Sequence, residues 1–186
     1  FYPEYFEKNF VFNDLTHKGA LIGIRIEGPT NSVDQRVARL CKELNLLRDE
    51  YSILEHEQSS IFWNKTKNLE VFSNSKGNLL RVVVPMSETV NMIQKLKAYD
   101  INYFLDWGGS LIWLQIEDLN LKILKEIRDI TQKHSGYFTI IKIEEDLKAS
   151  ADIFTIDPIK YKISEKIKKS FDPKRIFNPG KMYSGI

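Results

Sequence analysis

Cysteine is almost missing from this 186-residue chain: Cys41, the single copy, excludes an internal disulfide and a cysteine cage for zinc or an iron–sulfur cluster. Histidine is nearly as scarce, and His17, His56 and His134 stand far apart and off ligand spacing, so no metal is predicted. No apolar run approaches the roughly 18 to 20 residues that a membrane span needs, and no basic-then-apolar leader precedes a small-residue cleavage site. A soluble, cytoplasmic protein is therefore expected. Glycine-rich phosphate fingerprints are also missing, which excludes a dinucleotide-pyrophosphate cradle within these residues.

What is present suits one domain, or one domain with an appendage, since 42% of the residues are hydrophobic. The net charge of +2 hides an asymmetry. Residues 159–186 hold eight Lys/Arg against Glu165 and Asp172, leaving 19 basic against 23 acidic residues elsewhere. The chain opens at Phe1 with an aromatic, aperiodic lead-in over residues 1–18, as expected of a piece of a longer protein.

Residues 19–26 (GALIGIRI) alternate and predict a strand ended by Glu27-Gly28-Pro29. Ser32 and Gln35 have capping-box spacing before a helix whose stripe is Val33, Val37, Leu40, Cys41 and Leu44. A short strand near 50–54, a helix over 56–68 and a turn over 73–78 are predicted next. Two strand–helix–strand units then follow. The first has a strand at 79–85, a helix capped by Ser87 and carrying Val90, Ile93 and Leu96, and a strand at 101–106. Trp107-Gly108-Gly109 links it to a strand at 110–116, a helix from Leu119 to His134 with Gly136 ending it, and a strand at 137–143.

This order predicts an α+β, ferredoxin-like antiparallel sheet with helices on one face, in a domain spanning 19–143. Residues 144–158 read as a connector, followed by a C-terminal helix over 159–170 and a return tail. Strand alternation assigns Ile22, Ile24, Ile26, Leu80, Val82, Val84, Ile112, Leu114 and Ile116 to the helix-covered face. The opposite face carries Leu21, Gly23, Arg25, Leu79, Arg81, Val83, Leu111, Trp113 and Gln115. Two arginines and a tryptophan among aliphatics suit a wall over an anionic ligand, because guanidinium forks bind carboxylates in bidentate fashion. A domain interface explains the same face.

The tail FDPKRIFNPGKMYSGI (171–186) resembles the C-terminal signature of FAD-linked oxidases of the vanillyl-alcohol-oxidase class. DWGGSLIWL (106–114), LIGIRIEG (21–28) and LLRVVVP (79–85) resemble the hairpin and strands of the FAD-binding subunit of bacterial glycolate oxidases, in the same order. The resemblance implies a cap or substrate domain over 19–143 and a connector, helix and flavin-proximal tail over 144–186, with FAD held mainly by an N-terminal domain outside this chain. It implies oxidation of a 2-hydroxy acid such as glycolate, with Arg25, Arg81 and Trp113 binding substrate. Trp107, Gly108, Asn178, Gly180 and Lys181 would lie at the flavin. Other oxidase subunits, including an iron–sulfur subunit, are the implied partners, through which membrane association would come. Two departures stand out: Ile112 occupies a position where the family often has arginine, and the paired-histidine metal signature of related catalytic subunits is missing.

Several residues have plainer readings. His134 suits a helix C-terminus and Cys41 an inert apolar stripe. Phe62 and Trp63 suit packing, and the lysines of the last helix a solvated face. His17 is a candidate base ahead of the first strand. The rival to an oxidase part is a non-catalytic structural or interaction subunit, or a ferredoxin-like binding module. RNA is disfavoured because LLRVVVP and LIGIRIE carry one arginine each and no aromatic residue, so no nucleic-acid partner is predicted.

Overall fold

Apolar alternation becomes a sheet from residue 78 onward. A computed structural model describes residues 21–46, 51–72, 77–148, 150–155, 157–181 and 183. The lead-in over 1–18, with His17, lies outside the described residues. The chain divides into two compact units, Phe1–Asn74 and Ser75–Ile186.

The second unit is α+β. Its strands are β1 (Asn78–Val83), β2 (Asn102–Asp106), β3 (Leu111–Ile116) and β4 (Tyr137–Lys142), arranged β2-β3-β1-β4 with every pair antiparallel. Leu80, Val82, Ile112, Leu114, Phe138 and Ile140 share one face and are buried. Helices α3 (Thr89–Leu96) and α4 (Leu121–Lys133) bring Met92, Ile93, Leu96, Leu124 and Ile127 into the same core. Each such side chain contributes roughly 1.5 to 3 kcal/mol by leaving water. The sequence gives β1, β2, β3 and β4 to within a residue or two because period-two alternation coincides with a real two-sided burial.

Local chemistry sets the helix ends. Asn120 caps α4 by accepting from the Ile123 N–H at 2.9 Å. At its other end Ser135 takes φ 56°, the Ser135 N–H donates to Gln132 O and the Gly136 N–H to Thr131 O, which is the Schellman pattern. Gly136 is thus needed for space rather than for the turn: an added Cβ would sit 2.5 Å from Val84 Cγ1 and 2.9 Å from Val83 O. The expected Ser87 cap is not made. A 3-10 turn over Met86–Glu88 leads into α3, whose N-cap is Glu88 without a side-chain bond, and Val90 points outward at 65% exposure.

The 144–158 connector contains one helical turn, α5 (Glu145–Lys148). It also covers the outer edge of β4: the Ile140 N–H donates to Ile153 O and the Thr155 N–H to Phe138 O. Helix α6 (Pro158–Phe171) starts with proline at its first turn, where no amide donor is needed, and Asp157 accepts from the Ile159 and Lys160 N–H groups at 2.9 Å.

The first unit corrects two predictions. Residues 21–27 and 51–55 form no strand, and Ile22 and Ile24 are 80% and 55% exposed rather than buried against helices. Among the described residues all four strands lie in the second unit, so Ile22, Ile24 and Ile26 are not part of the core face. Helix α1 (Thr30–Glu43) begins two residues before the predicted Ser32 cap, after Pro29, and the stripe of Val33, Val37, Leu40 and Cys41 is only half-buried. Helix α2 (His56–Lys67) buries Phe62, whose ring meets Trp63 edge-on at 5.2 Å, and a 3-10 turn over Glu70–Phe72 buries Val71 and Phe72.

Candidate functional site

The sheet face opposite α3 and α4 carries Arg81. It pairs in register with Trp113 on β3 and Thr139 on β4, so the three side chains share this face. The face is not uniformly open: Phe104, Leu111 and Gln115 are buried, whereas Leu79, Arg81, Val83 and Trp113 are half-buried.

The β2–β3 link adds a second indole. Trp107, Gly108 and Gly109 take φ of 52°, 64° and 101° in succession, a left-handed run that glycine tolerates and tryptophan resists. Side-chain and backbone hydrogen bonds hold it. The Trp107 N–H donates to Asp106 Oδ1 at 2.7 Å, the Ser110 hydroxyl to Trp107 O at 3.0 Å, the Thr89 hydroxyl to Gly109 O at 2.7 Å and the Val84 N–H to Ser110 O at 2.9 Å. The result sets the Arg81 guanidinium 5.3 Å from the Trp107 ring centre and 6.0 Å from that of Trp113. Each such contact is worth about 0.5 to 1 kcal/mol where water reaches it. Among the described residues Arg81 has no hydrogen bond or ion pair to a carboxylate. Its donor fork is oriented by two ring faces and left unspent.

Arg25 is differently placed. It lies in the irregular 21–27 segment of the first unit, ion-paired with Glu27 and 5.9 Å from the Trp63 ring centre. The expected shared strand face for Arg25 and Arg81 does not exist.

The tail is organised by a residue that motif reading passed over. Asp172 Oδ1 accepts from the Ile176 N–H and Oδ2 from the Phe177 N–H, both at 2.9 Å, while Lys168 Nζ lies 2.7 Å from Oδ2 and also donates to Phe177 O. The hydrogen bond from Lys168 and those two amides outweigh burial and hold the carboxyl at about 2. Arg175 (φ 52°), Asn178 (φ 47°) and Gly180 (φ 68°) turn the chain, and the Lys181 N–H donates to Asn178 O at 3.3 Å. The loop presents Ile176 and Phe177, 66% and 68% exposed, beside Asn178, Gly180 and Lys181, which are also exposed. An acid at the C-terminal end of a lysine-rich helix was the available signal for Asp172.

A third cluster joins α3 and α4. Buried His134, the C-cap of α4, places Nδ1 2.6 Å from Glu88 Oε2 and Nε2 3.1 Å from Lys95 Nζ. Lysine donates only, so Nε2 accepts and Nδ1–H donates to Glu88. This ties two helix ends together and confirms a C-terminal placement for His134. Among the described residues no three His, Cys, Asp or Glu side chains gather as a metal site, and no helix is long and apolar enough to cross a membrane. Comparison with known proteins adds no relative: no family model matches the chain, and neither a curated protein nor a solved structure matches it significantly.

Proposed function

We propose that this chain is the substrate-side, C-terminal part of an FAD-dependent oxidoreductase that oxidises a 2-hydroxy acid such as glycolate. The observation that carries the reading is the Arg81 fork, held between Trp107 and Trp113 with no carboxylate of its own. A guanidinium so oriented binds an incoming carboxylate by two parallel hydrogen bonds and fixes the hydroxylated carbon beside it. The β-α-β-β-α-β order and the strand order given above support a ferredoxin-like sheet as the scaffold. The protein is placed in the cytoplasm, any membrane attachment coming from partner subunits, including an iron–sulfur subunit.

The chain's surface fits such a cofactor at its tail. An added Cβ at Gly180 would meet nothing within 4 Å, so backbone there is open to a large planar group, and Lys181 supplies a cation for an anionic one. Asn178, Gly180 and Lys181, with Trp107 and Gly108 from the hairpin, are the residues proposed to contact it. FAD, bound mainly by an N-terminal domain, supplies the hydride acceptor. This chain's own part is to grip the carboxylate.

The test is made in the complete flavoprotein. Arg81→Lys should lower kcat/KM for hydroxy acids by about 10- to 100-fold while leaving the melting temperature nearly unchanged, because lysine keeps the charge and loses the fork. Arg25→Lys should do less, since that guanidinium is already engaged by Glu27. Unchanged turnover in Arg81→Lys would favour the alternative, a non-catalytic interaction subunit. The exposed stripe of Ile159, Ile163, Ile167 and Phe171 on α6 is the observation on that side.

A further inference from the structure

A cavity of about 420 Å³ opens between β4, the edge-covering segment and α6, on the opposite side of β4 from the β1 pairing, and the reading above gives it no role. Its walls include the rings of Tyr137, Phe154 and Tyr183, and its polar lining includes Thr155, Ser164 and Lys160. Phe154 and Tyr183 have ring centres 6.0 Å apart, and Tyr161 braces Tyr183 from behind at the same distance, edge-on. The aromatic wall is therefore fixed by packing rather than by a ligand.

Two polar features are left over. Thr155 Oγ1 is buried and has no hydrogen-bond partner, although its backbone N–H is used in covering β4. That oxygen is closed off from solvent, so a ligand in the cavity does not reach it, and the accessible polar lining is Ser164 and Lys160. Lys160 Nζ lies 5.1 Å from the centre of the Tyr137 ring, and its only acid among the described residues is Asp157 at 3.8 Å, the outer limit of an ion pair. Asp157 spends its other oxygen on capping α6. The nearby Asp152 carboxylate is ion-paired with Arg128 at 3.7 Å, which offsets part of its charge at the cavity. Burial, and then Asp152, push the Tyr183 phenol up, which keeps it a neutral hydrogen-bonding group.

We propose that this cavity binds a small aromatic carboxylic acid, its ring among Tyr137, Phe154 and Tyr183 and its carboxylate at Lys160, with the Ser164 hydroxyl completing the polar contacts. Three ring walls select a flat apolar body, and one ammonium with spare donors selects one negative charge. Neither feature alone would do so: the rings would accept any apolar group, and an exposed lysine would accept any anion.

The experiment uses the 186-residue chain and sodium benzoate as the probe, with amide shifts followed by NMR. Saturable shifts are expected at Tyr137, Thr139 and Ser164, with a dissociation constant on the order of 1 mM, reasonable for a ligand of this size. Benzamide, which keeps the ring and loses the charge, should bind at least about fivefold more weakly, a difference set by one charge-assisted contact. Acetate, which keeps the charge and loses the ring, should produce no saturable shift at these residues. Lys160→Gln should bring benzoate down to the level of benzamide, and Arg81→Lys should change nothing here. Failure of benzoate to saturate by about 20 mM, which sets a very weak limit on affinity, would overturn the proposal. So would equal binding of benzamide, unaltered binding in Lys160→Gln, or shifts confined to Arg81 and Trp107.

Discussion

Helices α4 and α6 carry the same kind of stripe and use it in opposite ways. On α4, Leu124, Ile127 and Thr131 are buried against the sheet; on α6, Ile159, Ile163, Ile167 and Phe171 recur every fourth residue, also on one face, yet no residue of that helix is buried. Both helices are capped by a side chain, Asn120 in one and Asp157 in the other, so neither the start signal nor the period distinguishes them. The difference is the partner surface. Period and capping report that a face wants burial and say nothing of what covers it.

The sharpest way to break this comparison is to cut one isoleucine from each stripe. Ile127→Ala removes a side chain with no exposure and should lower unfolding free energy by about 2 to 5 kcal/mol in urea titration. Ile167→Ala, at 54% exposure, should stay within about 0.5 kcal/mol of the parent. Equal losses would mean that α6 is buried after all.

Gly136→Ala tests the tightness of the α4 side. The added methyl has no room against Val84, Thr131 and the Val83 carbonyl, and overpacking of this kind costs about 1 to 3 kcal/mol. Gly136 was read from the sequence as a helix stop because glycine so often takes the left-handed turn. Ser135 takes it here, and the glycine lets β4 start close under β1. Residues 19–26 misled for a related reason. GALIGIRI has a strand's period, but pairing requires a neighbour, and Ile22 and Ile24 remain exposed without one. The hairpin read correctly because DWGG combines an acceptor with two glycines between alternating runs. That Arg81 and Trp113 share a face follows from alternation, whereas their direct pairing is a matter of register. The approach of Trp107 to Arg81 and the cavity beside β4 depend on contacts between residues far apart in the chain, whereas the Asp172 loop closes over four to nine residues through side-chain-to-backbone bonds; no period encodes either kind of contact.

On the α6 side the strongest local device is Asp172, and its titration gives a prediction smaller in scope. Its folded pKa of about 2 lies below the ordinary carboxylate value of 3.8, so protons bind more tightly to the unfolded loop. The loop is therefore fully favoured above about pH 4, and its stabilisation is lost as pH falls toward 2. Amide shifts of Ile176 and Phe177 should titrate with a midpoint near 2. Asp172→Asn should speed exchange of those two amides by roughly tenfold at neutral pH, as expected for losing a charge-assisted acceptor. A midpoint at 3.8 would detach Asp172 from the loop.

The smallest expected change in stability comes from the double variant Ile159→Ser with Ile167→Ser, and it carries the comparison furthest. Serine and isoleucine have similar helix propensities, and these side chains are 72% and 54% exposed, so little burial is lost. The helix keeps its Asp157 cap and its Asp172 loop, and the net effect on unfolding should be under about 0.5 kcal/mol. Its effect on association should be larger. Ile159, Ile167, Phe171, Ile176 and Phe177 all lie exposed on α6 and the adjoining loop, and contiguous apolar surface of several hundred Å² is uncommon on monomers. Sedimentation of the parent chain should therefore show reversible self-association at high concentration, weakened in the double variant. The surrounding lysines set a limit on that association through like-charge repulsion, so added salt should strengthen it in the parent and do little in the variant. A parent that stays monomeric at every salt concentration would show that the lysines alone keep the stripe soluble. Association that persists undiminished in the variant would move the contact to another surface, the half-buried Arg81 face being the next to test.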